Sequence, residues 1–317
     1  MPLSGAPLFL HADDFGMSRC ITDGIIDALA KGVLTSTSVL MNAPQVEYSL
    51  GRWNWLEEER CAGRLQTGLR RQCGDTALMK FDLGVHLNLT QGRPITAGYP
   101  SELLDQHGCF AGIGTVFRKL WSSRERWRSA IQSELAAQIS RLIDYGIRPT
   151  HLNGHQYVSL VPLVSSLIPE LMQRFEIRVV RVALERNPWN ALLIRGHRVL
   201  RTALSLVKRH YASRFHRLIQ NAGIAHPAQF FGTSHAGRIQ LPVLQRFLES
   251  AVPEASCEIG LHPGRQSEQT ASEPIVHCWA DPLRELRPFE LQLLLDPSTA
   301  ELIQRSGRQL GRLQFLC

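Results

Sequence analysis

No stretch of the chain approaches the ~18 consecutive apolar residues that a membrane-spanning helix requires, so none is expected. The first residues, Met1 to Ala6, lack the basic start and long apolar core of a secretory leader, which predicts a cytoplasmic chain. The seven cysteines are odd in number and scattered, without a Cys-x-x-Cys pair. A redox motif or a cysteine-bound structural zinc is thereby excluded, and all are expected as reduced thiols, with Cys20 and Cys257 as small buried side chains. There is no internal repeat and no low-complexity tract, which excludes a solenoid. Zinc-finger and RNP-type signatures are also absent, so the net charge of +7 does not imply a nucleic-acid partner.

What is present is enough for a large core. Of 317 residues, 44% are hydrophobic, and the candidate site residues run from the N-terminal segment to position 262, which favours one α/β domain. Pro7 to Asp13 reads as a buried strand, Ser18 as the cap of a helix to about Ala30 ended by Lys31-Gly32, and Val33 to Met41 as a second strand. This βαβ unit predicts a mostly parallel sheet. Asn42 to Phe81 has a poor helical pattern with a polar surface excursion at Gly63 to Gly74. Asp82 to Asn88 resumes the strands, and the Gly- and Pro-rich Gln91 to Gly114 reads as a long loop beside the site. Helices are expected at Glu125 to Tyr145 and Leu160 to Phe175, and a strand at Arg178 to Leu184. Residues 186–235 read as a helical insertion or flanking subregion. Within them, Asn190 to Asn221 is basic and amphipathic, either a helical pair with a solvated charged side or a surface for anionic lipid.

Four segments carry a histidine near the end of an expected strand: His11-Ala12-Asp13-Asp14-Phe15-Gly16-Met17-Ser18, Asp82-Leu83-Gly84-Val85-His86-Leu87-Asn88, Pro149-Thr150-His151-Leu152-Asn153-Gly154-His155 and Glu258-Ile259-Gly260-Leu261-His262-Pro263-Gly264. Strand ends are where α/β proteins place their chemistry. Together the four read as one divalent-metal site that hydrolyses its substrate through a metal-activated water. Two neutral imidazoles and one carboxylate form a facial ligand set suited to zinc, iron, manganese or cobalt, and Asp14, His86 and His155 match it. Adjacent residues in extended chain point to opposite sides, but the Phe15-Gly16 turn relaxes that alternation. Asp14 is therefore assigned to the metal and Asp13 to water activation, a division that the residues alone also allow in reverse. His151, four residues before His155, supports it or touches substrate. His262 is placed to protonate the leaving amine. Arg181, a charge inside an apolar strand, is read equally as an ion pair with Glu185 or a site carboxylate, or as an anchor for substrate or for Asp13. Trp189, Phe230 and Phe231 are candidate apolar walls.

At these residues the chain resembles the YdjC family of carbohydrate deacetylases, which includes the diacetylchitobiose deacetylases and a branch associated with hopanoid biosynthesis. The resemblance covers His11 to Asn42, Gly84 to Thr90, Pro149 to His155 and His262-Pro263-Gly264, in family order. It implies a deformed TIM-barrel-like (β/α) fold and metal-dependent removal of an N-acetyl group from a sugar. It also implies Asp14, His86 and His155 as ligands of one ion, zinc or magnesium, with Asp13 as general base. The histidine donors are chemically more natural for zinc. Two positions depart from the family's His-x-Asp-x-His-x-His: Asn153 stands for the aspartate and Tyr157 for the third histidine. Asparagine keeps a carbonyl that can accept a bond from a ligand histidine.

The expected substrate is an N-acetylated sugar, in an oligosaccharide or a glycolipid head group. Peripheral contact with the inner membrane face through residues 190–221 and a homodimer are compatible with the sequence. Two other readings compete: a sugar- or metal-binding protein of the same fold without turnover, motivated by Asn153 and Tyr157, and a phosphoester hydrolase built on the same metal and aspartates.

Overall fold

The computed structural model describes residues 6–65, 80–122, 124–185, 199–266 and 278–316. Its strands are β1 (Pro7–Phe15), β2 (Ser36–Val39), β3 (Asp82–Leu87), β4 (His151–Gly154), β5 (Val179–Val180), β6 (Gln229–Phe231), β7 (Cys257–Leu261) and β8 (Gln309–Leu310). They pair in the order β5-β4-β3-β2-β1-β7-β6, with β8 added to the start of β1, and every pairing is parallel. Beyond β5, Val179 makes a parallel bridge to Ala225 and the Val180 N–H donates to the Ala225 carbonyl, so the sheet curls until its two ends nearly meet. This is the deformed, barrel-like α/β fold expected from the sequence. Parallel strands covered on both faces read as continuous apolar runs, and β1 is buried from Leu8 to Phe15.

Around the sheet lie α1 (Arg19–Lys31), α2 (Val46–Cys61), α3 (Ile113–Ser122), α4 (Arg124–Asp144), α5 (Pro162–Arg174), α6 (Val199–Asn221), α7 (Leu241–Ser250), α8 (Arg287–Leu295) and α9 (Pro297–Arg305). The Ser18 hydroxyl accepts from the Ile21 N–H at 3.2 Å and caps α1, whose face of Ile21, Ile25, Ile26 and Leu29 is buried. In α5, Pro162 opens the helix where its missing N–H is no loss.

Four expectations change. The weakly patterned stretch after Asn42 contains the regular helix α2. It buries only Val46, Ser49, Leu50, Trp53 and Leu56, too few residues for a strong stripe. The strand expected over Arg178 to Leu184 pairs only at Val179–Val180, because Arg181 and the residues after it turn into the site. The described part of the basic segment is the one long helix α6. Ala212, Phe215 and Ile219 face the core, while Val207 is half exposed. Cys109 and Cys278 are not free thiols but a disulfide, whose separation of 169 residues hid the pairing. Cys20, Cys61 and Cys257 are free, and Cys257 is buried. Residues 66–79 and 186–198, which include Trp189 and much of the polar excursion, lie outside the described residues.

Glu290 of α8 is fully buried beside the end of β7. Its carboxylate accepts the backbone N–H of Ile239 at 3.1 Å and that of His262, which ties α8 to the end of β7. Burial raises its pKa from 4.5 to about 7, against those donors and Arg287. Selective 13C labelling of glutamate side chains should therefore show one carboxyl titrating near pH 7. Charging a buried group disfavours the folded state. Its stabilising contribution is complete below the unfolded-state value and is lost as pH rises through about 7. A midpoint in the ordinary carboxylate range would refute this.

Candidate metal centre and its surroundings

The site begins with a break in β1. Its register with β2 slips between Ala12 and Phe15, and Asp14 takes a left-handed backbone with φ of 69°. Such a conformation is strained for any residue with a Cβ, by about 1–3 kcal/mol. The result is that two successive carboxylates, Asp13 and Asp14, line the same cavity instead of opposite faces of the sheet.

His86 sits on β3 in register with Asn153 on β4, so their side chains share a face. The contact between His86 Nδ1 and Asn153 Oδ1 is 2.7 Å, and the Asn153 Nδ2–H donates to Asp13 Oδ1 at 2.9 Å. Asp13 has no proton to give, so the amide must turn its nitrogen to Asp13 and its oxygen to His86. In the neutral ring that places the proton on Nδ1 and leaves Nε2 bare, 3.5 Å from Asp14 Oδ1; burial lowers the His86 pKa, but Asp13 and Asp14 outweigh it and raise it overall. His155 follows β4 and puts Nδ1 3.0 Å from the same Asp14 oxygen. Behind it Gln156 and Tyr157 both have left-handed backbones, with φ of 49° and 62°, which turn the chain out of the strand. Asp14, His86 and His155 are buried and offer one ligand atom each, all within 4.8 Å of one another.

The donor set fits a divalent ion: one carboxylate oxygen and two imidazole nitrogens, one of them bare in its neutral ring, lie within 4.8 Å of one another. The charges agree. Asp13, Asp14, Glu258 and Asp281 are paired with only two guanidiniums, Arg181 and Arg287, which leaves an excess of two negative charges. Burial pushes the Asp14 pKa up, but Arg287, His155 and His86 outweigh it and hold the carboxyl well below the usual range.

Asp13 is held on three sides. Arg181 Nη1 donates to both of its oxygens at 2.8 and 2.7 Å, while the Arg181 Nε–H donates to Glu258 Oε1 at 2.7 Å. The ion-pair partners of Arg181 are thus Asp13 and Glu258, whereas Glu185 accepts from the Ser234 hydroxyl. Burial opposes ionisation of Asp13, but Arg181, His86 and His11 prevail and keep it charged. His262 stands beside it with Nε2 3.8 Å from Asp13 Oδ2. Burial lowers the His262 pKa despite the two aspartates, so its resting form is neutral.

His151 lies deeper, against His11, with ring centroids 4.8 Å apart. It occupies space kept by Gly84, where a Cβ would come within 2.5 Å of the imidazole. It is buried, and it lines no part of the cavity. Burial and nearby Arg181 lower the pKa of both His11 and His151, that of His11 to about 3. Both are neutral parts of the barrel filling.

The cavity has a volume of about 190 Å³. Phe230 forms one wall, while its neighbour Phe231 points the other way and stacks on Phe247 at 5.0 Å. Ala280 to Leu283 form another wall. That segment is fastened to the loop after β3 by the Cys109–Cys278 bond, by the Gly92 N–H to the Cys278 carbonyl at 2.9 Å and by the Gln91 amide to the Ala280 carbonyl at 2.9 Å. Buried Glu134 of α4 pins the same loop by accepting the N–H groups of Ile95 and Thr96.

Arg287, Asp281, Glu258 and Glu290 were not anticipated from the sequence. Glu258 did carry a signal: a charge within the apolar strand Cys257–Leu261, opposite in sign to the one at Arg181. Arg287 sits in an ordinary charged stretch before a helix and carried none.

Comparison with known proteins gives the chain's relatives and its family. A carbohydrate deacetylase of Mus musculus is 29% identical over 329 residues, covering 96% of this chain and 92% of its own. A carbohydrate deacetylase of Vibrio cholerae is 26% identical over 170 residues, covering 54% of this chain and just over half, 56%, of that protein. Among solved structures, a protein of Enterococcus faecalis V583 named for cellobiose-phosphate cleavage matches with a TM-score of 0.64 at 20% identity. That match covers 99% of this chain and 100% of the other, and it establishes the shared fold. The family model described as YdjC-like protein matches residues 7–305. By that span, and with the strand-end aspartates and histidines in one cavity, the chain belongs to the YdjC-like protein family.

Proposed function

We propose that the protein removes the acetyl group from an N-acetylated sugar, with Asp14, His86 and His155 as ligands of one divalent ion, Asp13 as general base and His262 as general acid. The observation that carries this reading is the convergence of three buried ligand atoms within 4.8 Å beside a separately anchored carboxylate. The names of the mouse and Vibrio relatives supply the substrate class. The cavity of about 190 Å³, walled by Phe230, suits one sugar ring and its acetamido group.

When bound, a divalent ion polarises the amide carbonyl and lowers the pKa of water, and the histidine donors favour zinc over magnesium. Asp13 receives a proton of the attacking water. Its carboxylate is aimed by Arg181 and Asn153, so little reorganisation is needed. As the carbon–oxygen bond to acetate forms, the carbon–nitrogen bond breaks, and the amine must take up a proton. His262 Nε2 lies 3.8 Å from Asp13 Oδ2 and can carry that proton to the nitrogen. The products are acetate and the amino sugar.

The exposed side of α6 presents Arg209, Arg214 and Arg217. On these we base the narrower reading that the enzyme works in the cytoplasm on a glycolipid head group, at the inner membrane face. No described helix is long and apolar enough to cross a membrane.

The direct test is acetate release from N-acetylated oligosaccharides and glycolipids by metal-stripped protein, reloaded with zinc or with magnesium. Acetate should appear only after reloading. With metal bound, silence across the panel would refute the enzyme and leave a binding protein. Asp14→Ala and His155→Ala should lose metal and turnover together. Asp13→Asn should retain about one equivalent of metal and lose turnover by about 100-fold or more; if it instead lost the metal, the two aspartates would have exchanged roles. For the membrane reading, sedimentation with anionic vesicles at low salt should pull down the protein and neutral vesicles should not; equal recovery with both would refute it.

A further inference from the structure

The reading above leaves Arg287 without a task. It stands at the start of α8, is 3% exposed, and donates from Nη2 to Asp14 Oδ2 at 2.7 Å and to Asp281 Oδ1 at 2.9 Å. Its Nε–H donates to Asp281 Oδ2 at 2.8 Å, so Asp281 grips the guanidinium in a two-pronged pair. A buried cation next to a carboxylate that binds a metal opposes that binding, since like charges repel more strongly away from water. A group that only filled space there would be better apolar.

We propose that Arg287 is a positioning residue that keeps Asp14 a one-oxygen ligand. By holding Oδ2 it leaves only Oδ1 for a divalent ion, the oxygen that His155 Nδ1 approaches at 3.0 Å and His86 Nε2 at 3.5 Å. The inference rests on the metal reading of the site. A carboxylate free to turn would offer both oxygens and fill a position that water or the acetyl oxygen needs. One that shares its charge with a guanidinium donates less to the ion, which is then held less tightly and acts as a stronger Lewis acid. Asp281 and the fastened Cys278 to Leu283 segment keep the guanidinium aimed.

The sign of this effect separates it from ordinary support. Partners that orient a metal ligand weaken binding by about 10–100-fold when removed, as loss of Asn153 should. Loss of Arg287 should do the reverse. Metal-stripped wild type, Arg287→Met, Arg287→Lys and Asn153→Ala are titrated with cobalt(II), which reports both affinity and coordination by its visible absorption. Arg287→Met should bind cobalt about tenfold or more tightly than wild type. Its absorption should weaken as the coordination number rises, and kcat for acetate release should fall about tenfold or more with KM little changed. Arg287→Lys, which keeps the charge but not the planar fork that spans Asp14 and Asp281, should shift affinity in the same direction by less, and it decides the matter if Arg287→Met does not fold. Unchanged or weaker binding in a folded variant overturns the role given to Arg287 while leaving the metal site standing. If wild type binds no cobalt, or Asp14→Ala binds it equally well, both readings fall together.

Discussion

Two neighbouring carboxylates facing one cavity is the constraint on which the rest of the site depends. A regular strand would send Asp13 and Asp14 to opposite faces, and only the left-handed backbone at Asp14, together with the register slip against β2, brings them together. Two anions at adjacent positions repel unless each has its own cation. The structure supplies Arg181 to Asp13 and Arg287 to Asp14, from elements far apart in the chain. Each guanidinium is in turn held by a further carboxylate, Glu258 or Asp281. The barrel mouth is thus built as two charge chains that meet at β1 and do not share a partner. Asp13 and Asp14 can therefore differ in task although they are adjacent and chemically identical.

Asn153 joins the two halves. Its amide donates a hydrogen bond to Asp13 and accepts one from His86, so the orientation of the proposed base and the tautomer of a proposed metal ligand are set by the same side chain. An aspartate there, ionised, would accept from His86 equally well but would face Asp13 with no donor, in a layer already rich in buried anions. The neutral amide satisfies both neighbours without adding charge. Viewed this way, asparagine at this position is compatible with an intact site, and the departure from the family pattern does not by itself favour a protein without turnover. The neutral pair His11 and His151 fills the layer below.

Much of this was legible because local chemistry writes itself into short motifs. The four strand ends stand out since histidine and aspartate interrupt apolar runs, and Ser18, Gly32 and the spacing of Ile21, Ile25 and Leu29 mark α1. Arg181 was noticed for the same reason, as a charge in a strand. Its partner Glu258 sends the same signal, yet pairing the two requires knowing that β5 and β7 face a common interior. Arg287 and the Cys109–Cys278 bond were out of reach for a related reason: neither burial of an arginine before a helix nor contact across 169 residues leaves a periodic trace. Where a side chain's role comes from a neighbour at short range, residue type and spacing reveal it. Where the role comes from the closure of the sheet, only the fold does.

The strained residues follow the same logic. Among the described residues four other than glycine have left-handed backbones; Asp14, Gln156 and Tyr157 line the cavity at or beside a proposed ligand, and Glu176, just after α5, does not. The surrounding structure must over-determine such conformations for them to persist. For Asp14 that role falls to Arg287 and the two histidines. For Tyr157 it falls to its packing on the core, to Lys208 of α6 over its ring at 4.2 Å and to the long contact of its hydroxyl with the Thr233 carbonyl at 3.5 Å. The basic helix therefore also braces the turn that carries His155 into the cavity. The outer face of α6 carries Arg209, Arg214 and Arg217 while Lys208 rests on Tyr157, so one helix both presents charge to solvent and braces the turn beside the proposed metal site.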